Sequence, residues 1–435
     1  MSKLAGSTAS VRKCCLLLVA ISICLAQPFD GTSRARLALV SAASPPAGPI
    51  PSTLFGMHII LGNFPTVSFN VLRTSGVGWP HLEPQKGLFH WTNLDNQVKR
   101  AQAHNLKLYY ATDYVPRWAA KDASTCQPNY PGSSNIHCTA GVANLADWDD
   151  FVTALVQRYK GKIEVYELWN EPDQDFSGPM SDFLPLAQHF HDIVRANDPS
   201  ALIASPAVVN VKWLDSYWAA GGAKDVDAAA FHGYLSKPPV AEGLAAQKVD
   251  PLKAIMAKYG LAGKPIWDTE GSWGGPNVLT DLQAQAAFVA RYYLLHWSSG
   301  VGRFYWYSWD DNGNGPGGVG WGSLFNPTTK TPLPAATAYK QVYNWMVGAT
   351  MTAPCTANGS TWTCGLTRPG GYQALAIWDT AGGKTYTPPS RYTSYQSLAG
   401  NIFPITGPLA IGSEPLLLTS TGLPAPPTNV RGSVN

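Results

Sequence analysis

The feature that most constrains the fold of this chain is a long alternation of strand-like and helix-like segments. Eight short runs rich in β-branched and aromatic residues follow one another, at 54–60, 71–74, 106–112, 163–169, 201–208, 228–234, 265–270 and 302–308. Segments with helical periodicity lie between or after them, at 94–104, 148–160, 182–196, 214–220, 251–259, 281–299 and 335–347. Such alternation is typical of a parallel sheet closed on itself. We therefore predict an α/β fold, a (β/α)8 TIM barrel over residues 50–348.

The main alternative is an open, doubly wound sheet. That fold usually offers a glycine-rich loop after its first strand, and none follows Ile60. The barrel also predicts where function lies, because active sites of barrels form at the carboxyl ends of the strands.

Two glutamates stand at such strand ends. Glu171 follows the fourth strand-like run in the stretch EVYELWNEPD, where Pro172 ends the run because it has no N–H to give to a sheet. Glu270 ends the seventh run in KPIWDTEGSW, directly before Gly271. Two carboxylates that face each other across a cavity are the groups needed to hydrolyse a glycosidic bond.

The motif WNEP, with a later strand ending in glutamate, resembles the glycoside hydrolases of clan A, and most of all family 39 and its bacterial relatives. The stretch VLRTSGVGWPHLEPQKGLFHW at 71–91 is similar to the second-strand pattern of that clan. The resemblance spans about residues 55–418. It implies a retaining glycosidase with Glu171 as acid/base and Glu270 as nucleophile, and carboxyl groups about 5–5.5 Å apart.

The resemblance also implies roles for neighbouring residues. Asn170 is expected to hold the sugar 2-hydroxyl, and Trp306 to form the floor of the sugar subsite, whereas Trp79 with Glu83 is expected to support Arg73. Each side chain alone could be ordinary packing, but together they favour a sugar site at one face of the barrel. The predicted substrate-binding set is Asn170, Arg73, His58, Trp79, Asp113, His232, Tyr234, Trp306 and Trp309.

The two carboxyl groups need different protonation states. We expect Arg73, His232 and Tyr234 to lower the pKa of Glu270 and keep it ionised. We expect Trp169 and the negative charge of Glu270 to raise the pKa of Glu171, so that it begins protonated.

Composition narrows the partners. Only 14% of residues are charged, and 16 Trp and 19 Tyr offer flat surfaces on which sugar rings stack. Without the basic N-terminal leader the net charge of +3 becomes −1, and no run of Lys or Arg is left for nucleic acid or an anionic membrane.

We expect a poly- or oligosaccharide substrate and neither cofactor nor metal. His189 and His191 do not suggest a metal site, because residues two apart on a helix do not share a face. The oligomeric state is left open.

The N-terminus predicts export. Lys3, Arg12 and Lys13 precede the apolar run 14–26, the pattern of a secretory signal peptide at 1–26, with cleavage after Ala26 or, as second choice, Ala43. An Ala/Ser/Pro-rich stretch at 27–49 is expected to be a disordered linker. The protein is therefore expected to be secreted or periplasmic.

The four cysteines outside the leader then favour disulfides between Cys126 and Cys138 and between Cys355 and Cys364. A zinc site is the alternative, but no C-x-x-C spacing occurs.

After the barrel the pattern changes. Residues 349–421 are short β-like runs broken by Gly, Pro and Asn-Gly, which predicts a small β-sandwich like the accessory domain of family 39 relatives. The Pro-rich end at 422–435 is expected to be a loose tail.

The predicted function is a retaining glycoside hydrolase. The alternatives are a transglycosylase with the same residues and a non-catalytic carbohydrate-binding barrel. Substrate, linkage and endo or exo action depend on loops and are left open.

Overall fold

The eight predicted strands form one closed parallel sheet. The computed structural model describes residues 44–128, 136–222, 224, 226–315 and 318–420; the predicted signal peptide, most of the linker and the tail lie outside them. The strands are β1 (Phe55–His58), β2 (Val71–Arg73), β3 (Lys107–Ala111), β4 (Val165–Glu167), β5 (Leu202–Ala204), β6 (Ala229–His232), β7 (Ile266–Gly271) and β8 (Val301–Trp306). Neighbouring strands are hydrogen-bonded in the order β5-β4-β3-β2-β1-β8-β7-β6. The N–H of Ser205 donates to Ala228 O at 2.9 Å, and this hydrogen bond joins the two edges of the sheet.

The predicted helices are also confirmed, and together with the strands they make the barrel. No helix lies between β1 and β2, a segment that the structure describes in full. None of the helices among the described residues is long and apolar enough to cross a bilayer. The helices are α1 (Trp79–Leu82), α2 (Thr92–Ala103), α3 (Leu145–Tyr159), α4 (Pro172–Asp175), α5 (Met180–Asn197), α6 (Lys212–Ala219), α7 (Asp250–Lys258), α8 (Leu282–Ser298) and α9 (Pro334–Met346).

Side chains alternate between the barrel interior and the helix layer, as the pleat of a strand requires. Val71, Tyr109, Val165 and Tyr305 belong to the buried cluster inside the barrel, and their strand neighbours pack in the larger cluster beneath the helices. A Cβ on Gly56 would lie 2.4 Å from the Tyr305 ring, so glycine is what lets that ring fill the interior. At the carboxyl ends of the strands the inward-facing side chains are polar, and they form the site described below.

A β domain follows the barrel, as predicted. A six-stranded antiparallel sheet has the order β9-β10-β11-β16-β13-β14, and β12 pairs with β15. The domain is tied to the barrel by hydrogen bonds from Trp345 Nε1 to Gln396 Oε1 (2.6 Å) and from Trp378 Nε1 to Glu242 Oε1 (2.7 Å). Its strands are β9 (Thr356–Asn358), β10 (Thr361–Arg368), β11 (Tyr372–Asp379), β12 (Lys384–Tyr386), β13 (Ser394–Gln396), β14 (Ile402–Pro404), β15 (Leu409–Ile411) and β16 (Leu416–Thr419).

Both predicted disulfides are present. Cys126–Cys138 joins two short antiparallel strands in the loop after β3, and Cys355–Cys364 links the chain before β9 to β10 across a hairpin. The four thiols are therefore not zinc ligands.

Candidate active site

Glu171 is held in an uncommon backbone conformation at the end of the β4 segment. Its φ and ψ are 47° and 49°, in the left-handed region that non-glycine residues rarely adopt. The N–H of Glu171 donates to Ala207 O at 2.8 Å, and Pro172 begins α4 directly afterwards. A conformation of this kind costs about 1–3 kcal/mol and persists where the surroundings enforce it, often at functional sites. The carboxyl group is thus fixed at the mouth of the barrel, with 20% of the side chain exposed.

Glu270 is positioned by an irregularity in β7. The pairing of β7 with both β6 and β8 shifts register after Asp268, and a bulge of this kind re-aims the side chains that follow it. Arg73 Nη1 donates to Glu270 Oε2 at 3.0 Å, and the Tyr234 hydroxyl donates to Oε1 at 2.8 Å. Both carboxylate oxygens are therefore held.

The two carboxyl groups face each other with His232 between them. His232 Nδ1 lies 2.5 Å from Glu171 Oε1. One oxygen of Glu171, one oxygen of Glu270 and a ring nitrogen of His232 all lie within 4.8 Å of one another. In the part of the chain that the structure describes, no other group of acidic, His or Cys side chains is compact enough to hold a metal ion. A cation at this place would have to compete with the Arg73 guanidinium for Glu270.

Arg73 connects the nucleophile candidate to the barrel interior. Its Nη2 donates to Glu167 Oε1 (2.6 Å) and to Asn170 Oδ1 (2.7 Å). Burial lowers the pKa of Arg73, but the charges of Glu167 and Glu270 outweigh it and raise the pKa. Because Arg73 occupies the carbonyl oxygen of Asn170, the amide NH2 is the group that Asn170 can offer to a ligand.

Sequence reasoning missed Glu167 and Tyr109. Glu167 is fully buried in β4, and Tyr109 OH donates to its Oε2 at 2.6 Å, opposite Arg73. A signal was available, because a charged residue inside an otherwise apolar strand needs a partner, and Arg73 was the basic residue at the end of β2, two strands away in the sheet. Glu167 fixes Arg73, which in turn orients Glu270 and Asn170.

The pKa directions of the two catalytic candidates are the reverse of the prediction. Burial raises the pKa of Glu171, but His232 and Arg73 outweigh it and lower the pKa. Burial is the main reason that the pKa of Glu270 is raised. The pKa of His232 is raised as well, because Glu270 and Glu171 outweigh the effect of burial.

Burial and the hydrogen bond of His232 explain the reversal. His232, Arg73 and Tyr234 lower the pKa of Glu270 as expected, but burial outweighs them. His232 also bonds to Glu171 and lowers the pKa of that carboxyl group. Trp169 was expected to flank the Glu171 carboxyl, but its ring is buried beneath the helices against Trp148 and Phe183. Glu171 is therefore hydrogen-bonded to His232 rather than an isolated glutamate.

A cavity of about 270 Å³ opens beside Glu270. It brings together four members of the predicted substrate-binding set, namely His58, Arg73, Asp113 and Asn170. His58 Nε2 donates to Thr269 O at 3.1 Å, and burial lowers the pKa of His58, so the ring is neutral. Burial raises the pKa of Asp113 to about 7, and its Oδ1 has no hydrogen-bond partner among the described residues. A Cβ on Gly78 would lie 1.6 Å from that oxygen, so glycine is required there.

Two of the predicted aromatic residues, Trp306 and Trp309, do not line the cavity. Trp306 is fully buried on the helix side of β8, where its Nε1 donates to Gly322 O at 2.7 Å. Because strand residues alternate, the next residue, Tyr307, lines the cavity instead. Trp309 is fully buried against Phe325.

Trp79 and Glu83 also act elsewhere than predicted. Trp79 is fully buried and donates from Nε1 to Glu83 Oε2 at 2.8 Å, while Glu83 Oε1 accepts from Gly87 N. They stabilise their own loop, since the side chains bonded to Arg73 are Glu167, Glu270 and Asn170.

A (β/α)8 barrel that presents two paired glutamates at the ends of its fourth and seventh strands has the architecture of a glycoside hydrolase. The family model described as the glycosyl hydrolase catalytic core matches residues 87–339, and the chain belongs to this family. The protein is therefore an enzyme that hydrolyses glycosidic bonds of a carbohydrate.

Solved structures agree with this assignment in their fold. A family 39 glycoside hydrolase from Bacteroides cellulosilyticus WH2 has a TM-score of 0.65 at 19% identity, covering 80% of this chain and 75% of that chain. A monomeric β-xylosidase from Caulobacter crescentus CB15 has a TM-score of 0.59 at 15% identity, covering 86% and 97%. The GH39 enzyme from Xanthomonas axonopodis pv. citri has a TM-score of 0.55 at 15% identity, covering 81% and 87%. No curated protein sequence matches the chain.

Proposed function

We propose that the protein is a secreted, retaining glycoside hydrolase that cleaves a poly- or oligosaccharide by double displacement. The observation that carries the proposal is the approach of the Glu171 and Glu270 carboxyl oxygens to within 4.8 Å. Retaining enzymes place their carboxyl groups about 5–5.5 Å apart, whereas inverting enzymes leave about 6.5–9.5 Å for a water molecule. Secretion is supported by the N-terminal leader and by the two disulfides.

In the first step Glu270 attacks the anomeric carbon and the bond to the leaving oxygen breaks. Arg73 and Tyr234 hold the carboxylate in the attacking position. The leaving oxygen takes the proton held by the His232–Glu171 pair, and a covalent glycosyl ester of Glu270 results.

In the second step water attacks the same carbon from the side that the leaving group vacated. Glu171 takes the proton of that water, the ester bond to Glu270 breaks, and the sugar leaves with its original configuration. The Asn170 amide NH2 is placed to donate to the sugar 2-hydroxyl, and Tyr307 to cover one face of the ring. A protonated Glu171–His232 pair at the end of the cycle is ready for the next bond.

The test begins with a screen of 4-nitrophenyl glycosides, starting with the β-xyloside because one structural neighbour is a β-xylosidase. For the best substrate, proton NMR recorded within minutes of mixing is expected to show a product with the substrate's anomeric configuration. An inverted first product would overturn the mechanism. Added sugar acceptors in the same assay show whether transfer competes with hydrolysis, as in a transglycosylase.

Two variants assign the roles. Glu270→Gln is expected to lower kcat/KM by on the order of 10⁴-fold or more, because the nucleophile is lost. Glu171→Gln is expected to lose as much with a poor leaving group and far less with 2,4-dinitrophenolate, which departs without a proton. Glu164→Gln is the matched control, since Glu164 lies before β4 at the other end of the barrel and its amide can still accept from Arg303. Substantial activity in both Glu171→Gln and Glu270→Gln on a poor leaving group would refute the assignment.

A further inference from the structure

A second cavity, of about 340 Å³, is lined in part by Tyr234. Its walls come from the segments that follow β5 and β6, and they include Asn210, Lys212, Tyr234, Gln247 and Lys248. We call it the Lys248 cavity. Tyr234 connects it to the catalytic site, because the same side chain donates to Glu270 Oε1 at 2.8 Å.

Lys248 is buried without a direct ion pair among the described residues. The residue belongs to a π-helical segment, Ala245–Val249, and this rare backbone geometry is frequent at functional sites. The residue is only 7% exposed. Its ammonium donates to Val209 O at 2.6 Å, and no carboxylate of the described residues lies within 4.0 Å of it. An ammonium has three N–H donors, so two of them have no acceptor in the part of the protein that the structure describes, which is costly for a buried charge.

The other polar groups of the Lys248 cavity are donors too. The oxygen of the Asn210 amide accepts from Lys212 N at 3.2 Å, and the oxygen of the Gln247 amide accepts from Ser236 N at 2.9 Å. Each amide is left with its NH2 to offer. The carboxylate of Asp173 is already bonded to the N–H groups of Val209 and Asn210 at 3.2 and 2.7 Å. The walls thus offer two ammonium groups and two amide NH2 groups, and none of the cavity's lining side chains is a carboxylate.

The position of the cavity indicates which part of a substrate it receives, provided that the proposed function holds. The sugar attacked by Glu270 sits in the cavity beside β1 to β4, with Arg73 and Asn170. The leaving group departs on the side of Glu171, where β5 and β6 end. Lys248 acts on this carboxyl from that side, since its charge contributes to lowering the pKa of Glu171, after burial, His232 and Arg73.

We propose that the Lys248 cavity is the leaving-group subsite and that it takes a sugar unit bearing an anionic substituent, a carboxylate or a sulfate ester, bound to the Lys248 ammonium. Neutral sugar hydroxyls satisfy the amides, whereas an anion also forms a direct ion pair with the buried ammonium, which the carboxylates of Asp268, Asp173 and Glu171 influence only from a distance. The natural substrate is then an acidic polysaccharide or oligosaccharide in which the unit after the cleaved bond carries the charge.

The test measures binding by ligand-observed NMR to the protein without its leader, using D-galacturonate, D-galactose 6-sulfate and neutral D-galactose. The wild type is expected to bind the better of the two anionic sugars about 10- to 100-fold more tightly than galactose, the range for hydrogen bonds to a charged group. Lys248→Met is expected to abolish this preference, and Lys248→Arg to keep part of it. The tighter of the two anionic sugars identifies the substituent.

Lys253→Met is the matched control. Lys253 is also a partly buried lysine that donates to one backbone carbonyl, Ser299 O, at 2.6 Å, but it lines a cavity at the opposite end of the barrel. This variant should keep the preference. If Lys248→Met fails to fold, Gln247→Leu serves instead, and it must weaken galacturonate binding severalfold.

Three results would overturn the proposal. They are equal binding of galactose and both anionic sugars to the wild type, an unchanged preference in the folded Lys248→Met variant, and displacement of galacturonate by acetate at equal concentration, which would indicate a site for any small anion. Because binding is read without turnover, an inactive protein would refute the proposed function while leaving the binding result intact. An active enzyme without the preference would refute only this inference.

Discussion

The two ends of the barrel use the same residue types to opposite effect. At the amino ends of the strands, Arg303 donates to both oxygens of Glu164 at 3.0 and 3.3 Å and lies 4.5 Å from the centre of the Trp267 ring. Lys107 bonds to the same carboxylate. At the carboxyl ends, Arg73 donates to Glu167 and Glu270. Each end therefore contains a buried arginine that joins strands which are not adjacent in the sheet.

The balance of charge differs. Burial raises the pKa of Glu164, but two cations, Arg303 and Lys107, outweigh it and lower the pKa. Around Arg73 the carboxylates outnumber the cations, and the pKa of Glu270 is raised, mainly by burial and further by the charge of Glu171. An end with paired charges contributes stability, whereas a buried, surplus carboxyl group with a perturbed pKa is typical of a functional site. The comparison indicates that burial and charge balance together, rather than residue type, distinguish the two clusters.

The comparison would be broken most directly by removing the two arginines. Arg73→Met leaves the fully buried Glu167 with only Tyr109 as partner, and it should cost about 3–5 kcal/mol of unfolding free energy, the range for an uncompensated buried charge. Arg303→Met leaves Glu164 with Lys107 and 20% of its side chain exposed, so we expect a loss of about 1–2 kcal/mol. Urea denaturation at pH 7 measures both. Equal losses would mean that the two clusters are energetically alike.

Activity separates the same two variants. Arg73→Met removes the donor to Glu270 Oε2 and the hydrogen-bond partner of Asn170. Its kcat should therefore fall by much more than the loss of folded protein accounts for. Arg303→Met should retain the kcat of the folded fraction. A large loss of kcat in folded Arg303→Met would contradict the assignment of the amino end to stability.

The protonation of the site sharpens the comparison through pH. Glu171, whose pKa is lowered, adds stability above about pH 4.3, the ordinary pKa of Glu, and loses it as the pH falls through the lowered value. His232, whose pKa is raised, adds its full stability below about pH 6.5 and loses it as the pH rises through the raised value. The stability difference between wild type and His232→Asn should therefore be largest between about pH 4.5 and 6.5, and smaller at pH 9.

His58→Asn provides the opposite control. The pKa of His58 is lowered by burial, so a neutral His58 adds stability above about pH 6.5 and loses it as the pH falls through the lowered value. Its stability difference from wild type should shrink on acidification, where that of His232→Asn grows on going from pH 9 to 6. Urea denaturation midpoints at pH 5.5, 7 and 9 test both expectations. If the stability difference between wild type and His232→Asn did not change with pH, the charges of the His232–Glu171 pair would not contribute to stability.

The sequence predicted what is decided locally. Strand runs, the proline after Glu171 and the glycine after Glu270 act within a few residues, so the barrel and its two glutamates were placed correctly. The aromatic residue expected at the cavity differs by one position, because Trp306 and Tyr307 are both aromatic and only the register of β8 decides which faces inward. The hydrogen-bond partner of His232 depends on how far β6 extends relative to the Glu171 turn. That distance is set by tertiary packing, and so is the burial that raises the pKa of Glu270.

The smallest expected effect concerns Lys107 at the amino end. Its ammonium pairs with Glu164, but 43% of the Lys107 side chain is exposed, so water and salt screen the attraction. Lys107→Met should cost about 0–1 kcal/mol at low ionic strength and less at 1 M NaCl. It also acts as a probe of charge balance, because Glu164 keeps Arg303 and the amino end becomes one cation against one carboxylate. A loss of 3 kcal/mol or more, measured by urea denaturation, would show that the second cation is essential there. The amino end would then be as finely balanced as the catalytic end, and the contrast between the two ends would no longer hold.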